Sequence, residues 1–323
     1  MNELKVLDNL YENYEELEGV KNFVVGMITR QMNYSGIMYR AFSRVKTRDS
    51  FTKKYQNKKS KYEIEKRGVQ DLLGIRLVLY FKEDIDICIN ILNNIFKEVS
   101  HEYDSPDSIT FKPIRINYVY ELPDEKKIFS KLIKGEENLL DDTFEVQIRT
   151  VLSEGWHEVE HDIKYKKKAD WENENEMARD FNAILAALEI CDNNILGICD
   201  NLAYNKYKSN KISSMVRFRF RLRFQEKEVS DKIEKIILKK YDVIAKKIFR
   251  YDKQRLVDLF LKTKVDITLD NAILLINMDN IHDEELIHIT DSEIYTRYNS
   301  VIKSVMDESG ENKPYKSIVA MKF

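Results

Sequence analysis

FEVQIRTVLSEGWHEVEHDIKYKKK, residues Phe144–Lys168, changes period in its middle. Phe144, Val146 and Ile148 alternate with Glu145, Gln147 and Arg149, the two-residue period of a strand with one apolar and one polar face. From Leu152 the apolar positions Trp156, Val159 and Ile163 recur at helical spacing, with Glu160, His161 and Lys164 nearby. A strand that lines up an acid, an amide and a guanidinium, running into a helix with His and Glu and then a basic run, reads as a site. His157-Glu158-Val159-Glu160-His161 also fits the HExxH pattern, in which two His one turn apart hold zinc. A catalytic zinc requires a third protein ligand. No HExxHxxGxxH continuation follows, and His101, His282 and His288 stand in no ligand spacing.

The 323 residues suggest two domains. A hydrophobic share of 43% supports an ordinary core, and 33% charged residues point to a soluble chain. The sequence shows no apolar run near the ~18 residues a membrane span requires, and the acidic start MNELKVLDNLYENYEELEG does not read as a targeting peptide. Cys88, Cys191 and Cys199 lack CxxC spacing and read as reduced, buried thiols of a cytoplasmic protein. A formal charge of −2 excludes a globally basic nucleic-acid binder but not a local patch.

Residues 1–35 read as helical, 37–48 as a strand, and FTKKYQNKKSKYEIEKRG as a basic helix ended by Gly68. Leu77–Phe81 is a buried strand opened by Arg76 and preceded by Asp71. Residues 82–97 form an amphipathic helix, 124–143 a charged helix or loop, and 171–203 a long helix with Phe181, Leu185, Leu188 and Ile195 inward. Read for their chemistry alone, the basic residues at 44–54, Asp71 with Arg76, and Glu145 with Gln147 and Arg149 make a magnesium-dependent phosphate-handling site. Guanidinium forks and ammonium charges neutralise phosphate oxygens, and Mg²⁺ is held by one or two carboxylates plus substrate phosphates.

The segment F-E-V-Q-I-R-T…W…E-H…Y-K, with D-x-x-G-I-R-L-V at 71–78 and Arg44, Lys46, Ser50 and Lys53 or Lys54 in the order R-x-K-x-x-x-S-x-x-x-K, resembles the synthetase domain of the RelA/SpoT family over roughly residues 30–168. The resemblance implies an α+β fold, a mixed β-sheet flanked by helices of the nucleotidyltransferase-like kind, followed by a smaller helix-rich C-terminal domain. It implies transfer of pyrophosphate from ATP to the 3′-hydroxyl of GDP or GTP, with release of AMP. Glu145 and Asp71 become the catalytic acids around Mg²⁺. Arg44, Lys46, Ser50, Lys53, Lys54 and Arg76 grip ATP. Gln147, Arg149, Glu160, His161 and Lys164 serve the acceptor. Where the family carries G-Y-x-S-x-H, this chain reads T-F-K-P-I-R, which aligns Phe111 with the base-stacking Tyr and Arg115 with the His. Phe can stack but lacks the hydroxyl, and Pro113 removes both a hydroxyl and a backbone N–H. A tRNA 3′ end, as used by toxins of the same family, therefore stays open as acceptor, as does a nucleotide-sensing role without transfer.

The domain boundary is expected near 205–215, giving residues 1–210 and an α+β domain at 211–323. Arg217, Arg219, Arg221 and Arg223 alternate with Phe218, Phe220 and Leu222, which predicts a strand with four guanidiniums on one face, able to meet phosphates or RNA, or else a charged edge strand. Beyond it, 231–250 reads as one basic helix, 252–264 as a second, 267–281 as strand or Thr- or Asp-capped helix, 292–306 as helix, and KSIVAMKF as a terminal strand or tail. No membrane contact is expected, and assembly of several copies is left open.

Overall fold

The computed structural model describes residues 3–103, 116–133 and 139–309. The chain divides into two compact units, residues 1–32 with 39–194, and residues 33–38 with 195–323.

The first unit begins with two helices, α1 (Glu3–Glu12) and α2 (Tyr14–Ser35), of which α2 continues into the second unit. Leu7, Leu10, Leu17, Val20, Val24 and Ile28 recur at helical spacing and are all buried. Strand β1 (Tyr39–Val45) leads into helix α3 (Arg48–Glu65), whose start is capped by Thr47. Gly68 does not end this helix. Lys66 does, adopting the left-handed conformation (φ 50°) and donating its N–H to Tyr62 and Glu63.

Gly68 is needed for a different reason. A Cβ there would lie 2.5–2.7 Å from the backbone of Leu140. The chain passes this close because Val69 bridges Leu140 and the Gly68 N–H donates to Asp141 Oδ1 at 2.8 Å.

Strand β2 (Leu73–Leu79), helix α4 (Asp84–Ile95) and strands β3 (Glu98–Tyr103) and β4 (Ile116–Glu121) follow. After a short turn of helix, α5 (Phe129–Leu132), comes strand β5 (Thr143–Thr150). The sheet order is β1-β2-β5-β4-β3, with β2 and β5 parallel and the other neighbours antiparallel. It is the mixed sheet flanked by helices that the sequence predicts.

Register turns the period-2 pattern into two faces. Val45, Leu73, Phe144 and Tyr120 form one row across four strands, and Ile75, Val146 and Tyr118 the next. These residues are buried together with Ile85, Cys88 and Leu92 of α4. Phe96 meets Phe144 edge-on at 4.9 Å between ring centres, and the Tyr120 hydroxyl donates to Asn93 at 2.8 Å.

Helix α6 (Val151–Glu160) starts at a capping box in which Thr150 and Ser153 bond each other's backbone N–H. Thr150 also donates to buried Asp192 at 2.7 Å, which lies on helix α7 (Asn175–Lys208). Trp156 is buried against Phe181, as its spacing implies. Val159 and Ile163 are not; Ile163 lies within a π-helical turn at His161–Tyr165 that breaks the helical spacing. On α7, Leu185 is buried and Ile195 is exposed. Among the described residues α7 is the one helix long and apolar enough, by length and composition, to cross a membrane, so the expectation that no such run exists fails there. Of the three cysteines only Cys88 is buried. Cys191 is exposed and Cys199 half-buried.

Every regular element of the second unit among its described residues is a helix, including α8 (Ile212–Phe220), α9 (Asp231–Lys239), α10 (Tyr241–Arg250), α11 (Lys253–Thr263), α12 (Leu269–Ile276), α13 (Glu284–Ile289) and α14 (Ser292–Ser309). It is helix-rich, and no strand of an α+β domain occurs among these residues. Lys240 breaks the expected single helix into α9 and α10. The ambiguous 267–281 segment is helical from Leu269, where the Thr268 side chain caps the start by accepting from the Asn271 N–H.

The arginine strand is not formed either. Ile212, Met215, Val216 and Phe220 are all buried, a helical spacing that wins over the Arg-Phe alternation. The guanidiniums diverge in consequence. Arg219 donates to the carbonyls of Phe249 and Tyr251 at 2.8 and 3.1 Å. Arg221, the left-handed C-cap, is 3% exposed and donates to Asp200 at 2.7 Å. Arg217 lies 3.8 Å from Glu228, and Arg223 is exposed. The terminal KSIVAMKF lies outside the described residues.

Candidate active site

The polar face of the sheet carries two rows. Arg44, Gly74 and Glu145 are register neighbours across β1, β2 and β5, and Phe42, Arg76 and Gln147 form the next row. Gly74 adds no side chain between Arg44 and Glu145, and a Cβ there would touch Arg44 Cγ at 3.9 Å. With Lys46 and Asp71 from the strand ends, and Glu154 and Glu158 from α6, these residues line a cleft of about 470 Å³.

Asp71 is the fixed point of one end. Its Oδ2 takes the Lys46 ammonium at 2.5 Å and that of Lys54, which α3 carries in its second turn. Burial alone would raise the Asp71 pKa. The two ammonium groups outweigh it and hold the carboxyl below its ordinary value. Burial prevails at Lys46, which is lowered, whereas at Lys54 the Asp71 charge overcomes burial and raises it. Asp71 Oδ1 is buried with no hydrogen-bond partner.

Glu145, held mid-strand on β5, is raised, first by burial and then by the charge of Asp71. Gln147, Lys54 and Lys46 oppose the shift. Gln147 Nε2 donates to Glu145 Oε2 at 3.0 Å.

The other end is an ion-pair network. Arg76 donates through Nε to Gln147 Oε1 at 3.3 Å and through Nη1 to Glu154 Oε1 at 2.5 Å and to Glu158. Burial works against the Arg76 charge, but the two carboxylates more than offset it, so its pKa is raised. Arg149 Nε lies 3.4 Å from Glu154 Oε2.

The candidate residues thus fall into groups. Arg44, Lys46, Asp71, Arg76, Glu145 and Gln147 meet in the cleft, with Lys54 joined through Asp71. Ser50 accepts from the Thr47 hydroxyl at 2.9 Å at the start of α3, and Lys53 is exposed; neither lines the cleft. Arg149 lines a neighbouring small cavity with Ser153 and His157.

Glu160, His161 and Lys164 lie past the cleft. Lys164 sits over the rings of Trp171 and Phe181 at 5.6 and 5.8 Å, and His161 lies 3.2 Å from Asp162. The rings of His157 and His161 are 6.1 Å apart. No group of three metal-binding side chains occurs among the described residues. Phe111 and Arg115 lie outside the described residues.

Sequence reasoning missed Glu154 and Glu158. Their four-residue spacing places both on the face of α6 that returns over β2 and β5. The signal was present but hidden beneath the HExxH letters.

Residues 43–170 match the sequence model of a family described as "Region found in RelA / SpoT proteins". No curated protein matches the chain. Among solved structures, a GTP pyrophosphokinase family protein from Streptococcus pneumoniae is similar at 18% identity. The match covers 59% of this chain and 93% of that one, with a TM-score of 0.45. Small alarmone synthetase 1 from Bacillus subtilis, bound to its product pppGpp, is similar at 20% identity over 58% of this chain and 96% of its own, TM-score 0.44. The same synthetase bound to AMPCPP gives 20%, 57% and 93%, with a TM-score of 0.39.

Proposed function

We propose, from the match of residues 43–170 to a region found in RelA/SpoT proteins, that the protein is a nucleotide pyrophosphokinase that moves the β,γ-diphosphate of ATP to the 3′-hydroxyl of GDP or GTP. The observation that carries this reading is the pairing of Asp71 and Glu145 in one cleft with Arg44, Lys46 and, through Asp71, Lys54. Arg44 has no ion-pair partner among the described residues. Guanidinium and ammonium groups of this kind bind phosphate oxygens by charge-assisted hydrogen bonds.

The 3′-oxygen attacks the β-phosphorus as the bond from that phosphorus to the α,β-bridging oxygen breaks, and AMP leaves. The hydroxyl proton passes to Glu145, whose raised pKa makes it a stronger base than an ordinary carboxylate. The cations at 44–54 hold the charge that develops on the phosphoryl oxygens.

The donor set fits a magnesium ion. Asp71 Oδ1 is buried and without a hydrogen-bond partner, Glu145 lines the same cleft, and magnesium takes its remaining ligands from water and phosphates. Once bound, it would neutralise phosphate charge.

The test is incubation with Mg²⁺ and γ-labelled ATP beside GDP, GTP, ADP and tRNA. Label on a guanine nucleotide, with AMP formed in equal amount, is the expected result. Transfer to none of them would sink the proposal, and label on tRNA alone would replace the acceptor. Glu145→Gln and Asp71→Asn should each reduce transfer by at least about 100-fold, as loss of a base or a charge-stabilising group does, with circular dichroism unchanged. Activity surviving either change removes that residue from the reaction.

A further inference from the structure

Gln147 stands between a group that can only donate and a group that can only accept. A guanidinium has no acceptor and a carboxylate no donor, so the amide has one allowed orientation: Oε1 toward Arg76 Nε (3.3 Å) and Nε2 toward Glu145 Oε2 (3.0 Å). Arg76 keeps that orientation only while its own position is fixed. Two carboxylates fix it. Glu154 is the more buried, with its side chain 15% exposed against 58% for Glu158. Its second oxygen reaches Arg149 at 3.4 Å.

We propose that Glu154 is a positioning residue for Glu145, acting through Arg76 and Gln147. Glu154 holds the Arg76 fork, Arg76 fixes the Gln147 amide, and the amide sets which oxygen of Glu145 remains open to the cleft. This also gives Arg76 a task other than gripping phosphate, since two carboxylates already offset its charge. Burying Glu145 on a mid-sheet position makes the steering necessary, because without the Gln147 bond the plane of the carboxylate is free to turn and its second oxygen is no longer aimed into the cleft.

This role rests on the proposed pyrophosphokinase reading for its kinetic consequence but not for its structural one, and the experiment separates the two. In the full chain, the Gln147 side-chain amide protons are assigned by their loss in Gln147→Leu. In the wild type, the proton donated to Glu145 is expected downfield of solvent-exposed amides. In Glu154→Gln, and in Glu154→Ala as a second variant, it should move to the solvent-exposed position while the melting temperature stays within a few degrees. Under turnover, Glu154→Gln should lower kcat roughly tenfold, about 1.4 kcal/mol, with the KM for ATP changed less than about threefold. Glu154→Asp, which keeps the charge, should recover part of the loss. An unchanged Gln147 amide in both variants overturns the proposal, as does a wild-type kcat in Glu154→Gln. Absence of transfer from the wild type would overturn the assigned reaction, leaving the amide shift to decide the positioning role.

Discussion

Burial of the His157 imidazole, helped by the charges of Arg149, Arg76 and His161, pushes its pKa down to about 4. Its Nδ1 is buried with no hydrogen-bond partner. In an unfolded chain the same ring titrates near ~6.5. The unfolded state therefore binds the extra proton first, and stability is lost as pH falls from about 6.5 toward 4. His157→Gln should flatten that slope, so that between pH 6.5 and 5 the melting temperature of the variant falls less than that of the wild type. Parallel melting curves would show that the ring titrates normally.

At this scale the legible and illegible residues differ for a physical reason. Glu145, Gln147 and Arg149 announce themselves by strand alternation, whereas an Asp before a buried apolar run is most often a turn or cap residue, and Asp71 stands out through the D-x-x-G-I-R-L-V resemblance. Glu154 and Glu158 belong to the site through the return of α6 over the sheet, a tertiary fact that no local pattern in a Glu-rich stretch records. Glu160, His161 and Lys164 come from the resemblance, and they stand at and within the π-helical turn, outside the residues that line the cleft.

Among elements, β5 was read correctly because its two faces differ in polarity at every step, whereas α8 was misread because Arg and Phe alternate over its second half. What decides α8 is burial at Ile212, Met215, Val216 and Phe220, and a period of 3.6 is visible only when the window opens at residue 212. Gly68 is a comparable case. Its position after a basic run suggested a helix stop, yet its constraint comes from Leu140, 72 positions away in sequence. Gly68→Ala should therefore cost about 1–3 kcal/mol, the range for overpacking, because the neighbour is backbone and cannot swing aside. Chemical denaturation measures it, and a cost near zero would mean that the 68–69 and 139–141 segments part readily. At the start of α6, Thr150→Val removes both the cap and the bond to Asp192, and should cost about 1–2 kcal/mol.

On the scale of the whole molecule, the sequence conveys a sheet-bearing unit and a helix-rich one, because burial period and cap residues are local signals. It conveys the second unit's internal ties poorly. Asp279, for example, accepts from the Tyr251 hydroxyl at 2.5 Å and from Arg255 Nη2 at 2.7 Å. Burial would raise its pKa, but those bonds and the Arg255 charge lower it. The stability it contributes is present above the unfolded value of ~3.9 and is lost as pH falls through the lower folded value. Asp279→Asn should destabilise the unit by about 1–3 kcal/mol at neutral pH, and the difference from wild type should shrink below pH 4. A difference that persists into acid would place the effect in packing rather than charge.

The sheet order has a consequence for the time course of synthesis. Strand β5 is the last of the five to be made, yet it lies between β2 and β4. A nascent chain that has emerged as far as residue 133 already carries Arg44, Lys46, Lys54 and Asp71. It lacks the strand that joins its two halves, so β2 and β4 each wait with an open edge. Non-local pairing of this kind forms late. When β5 slots in, it completes the hydrogen bonding of both neighbours and delivers Glu145 in the same event. The cleft is therefore incomplete until the last strand of the sheet is in place, and the proposed transfer would start only then.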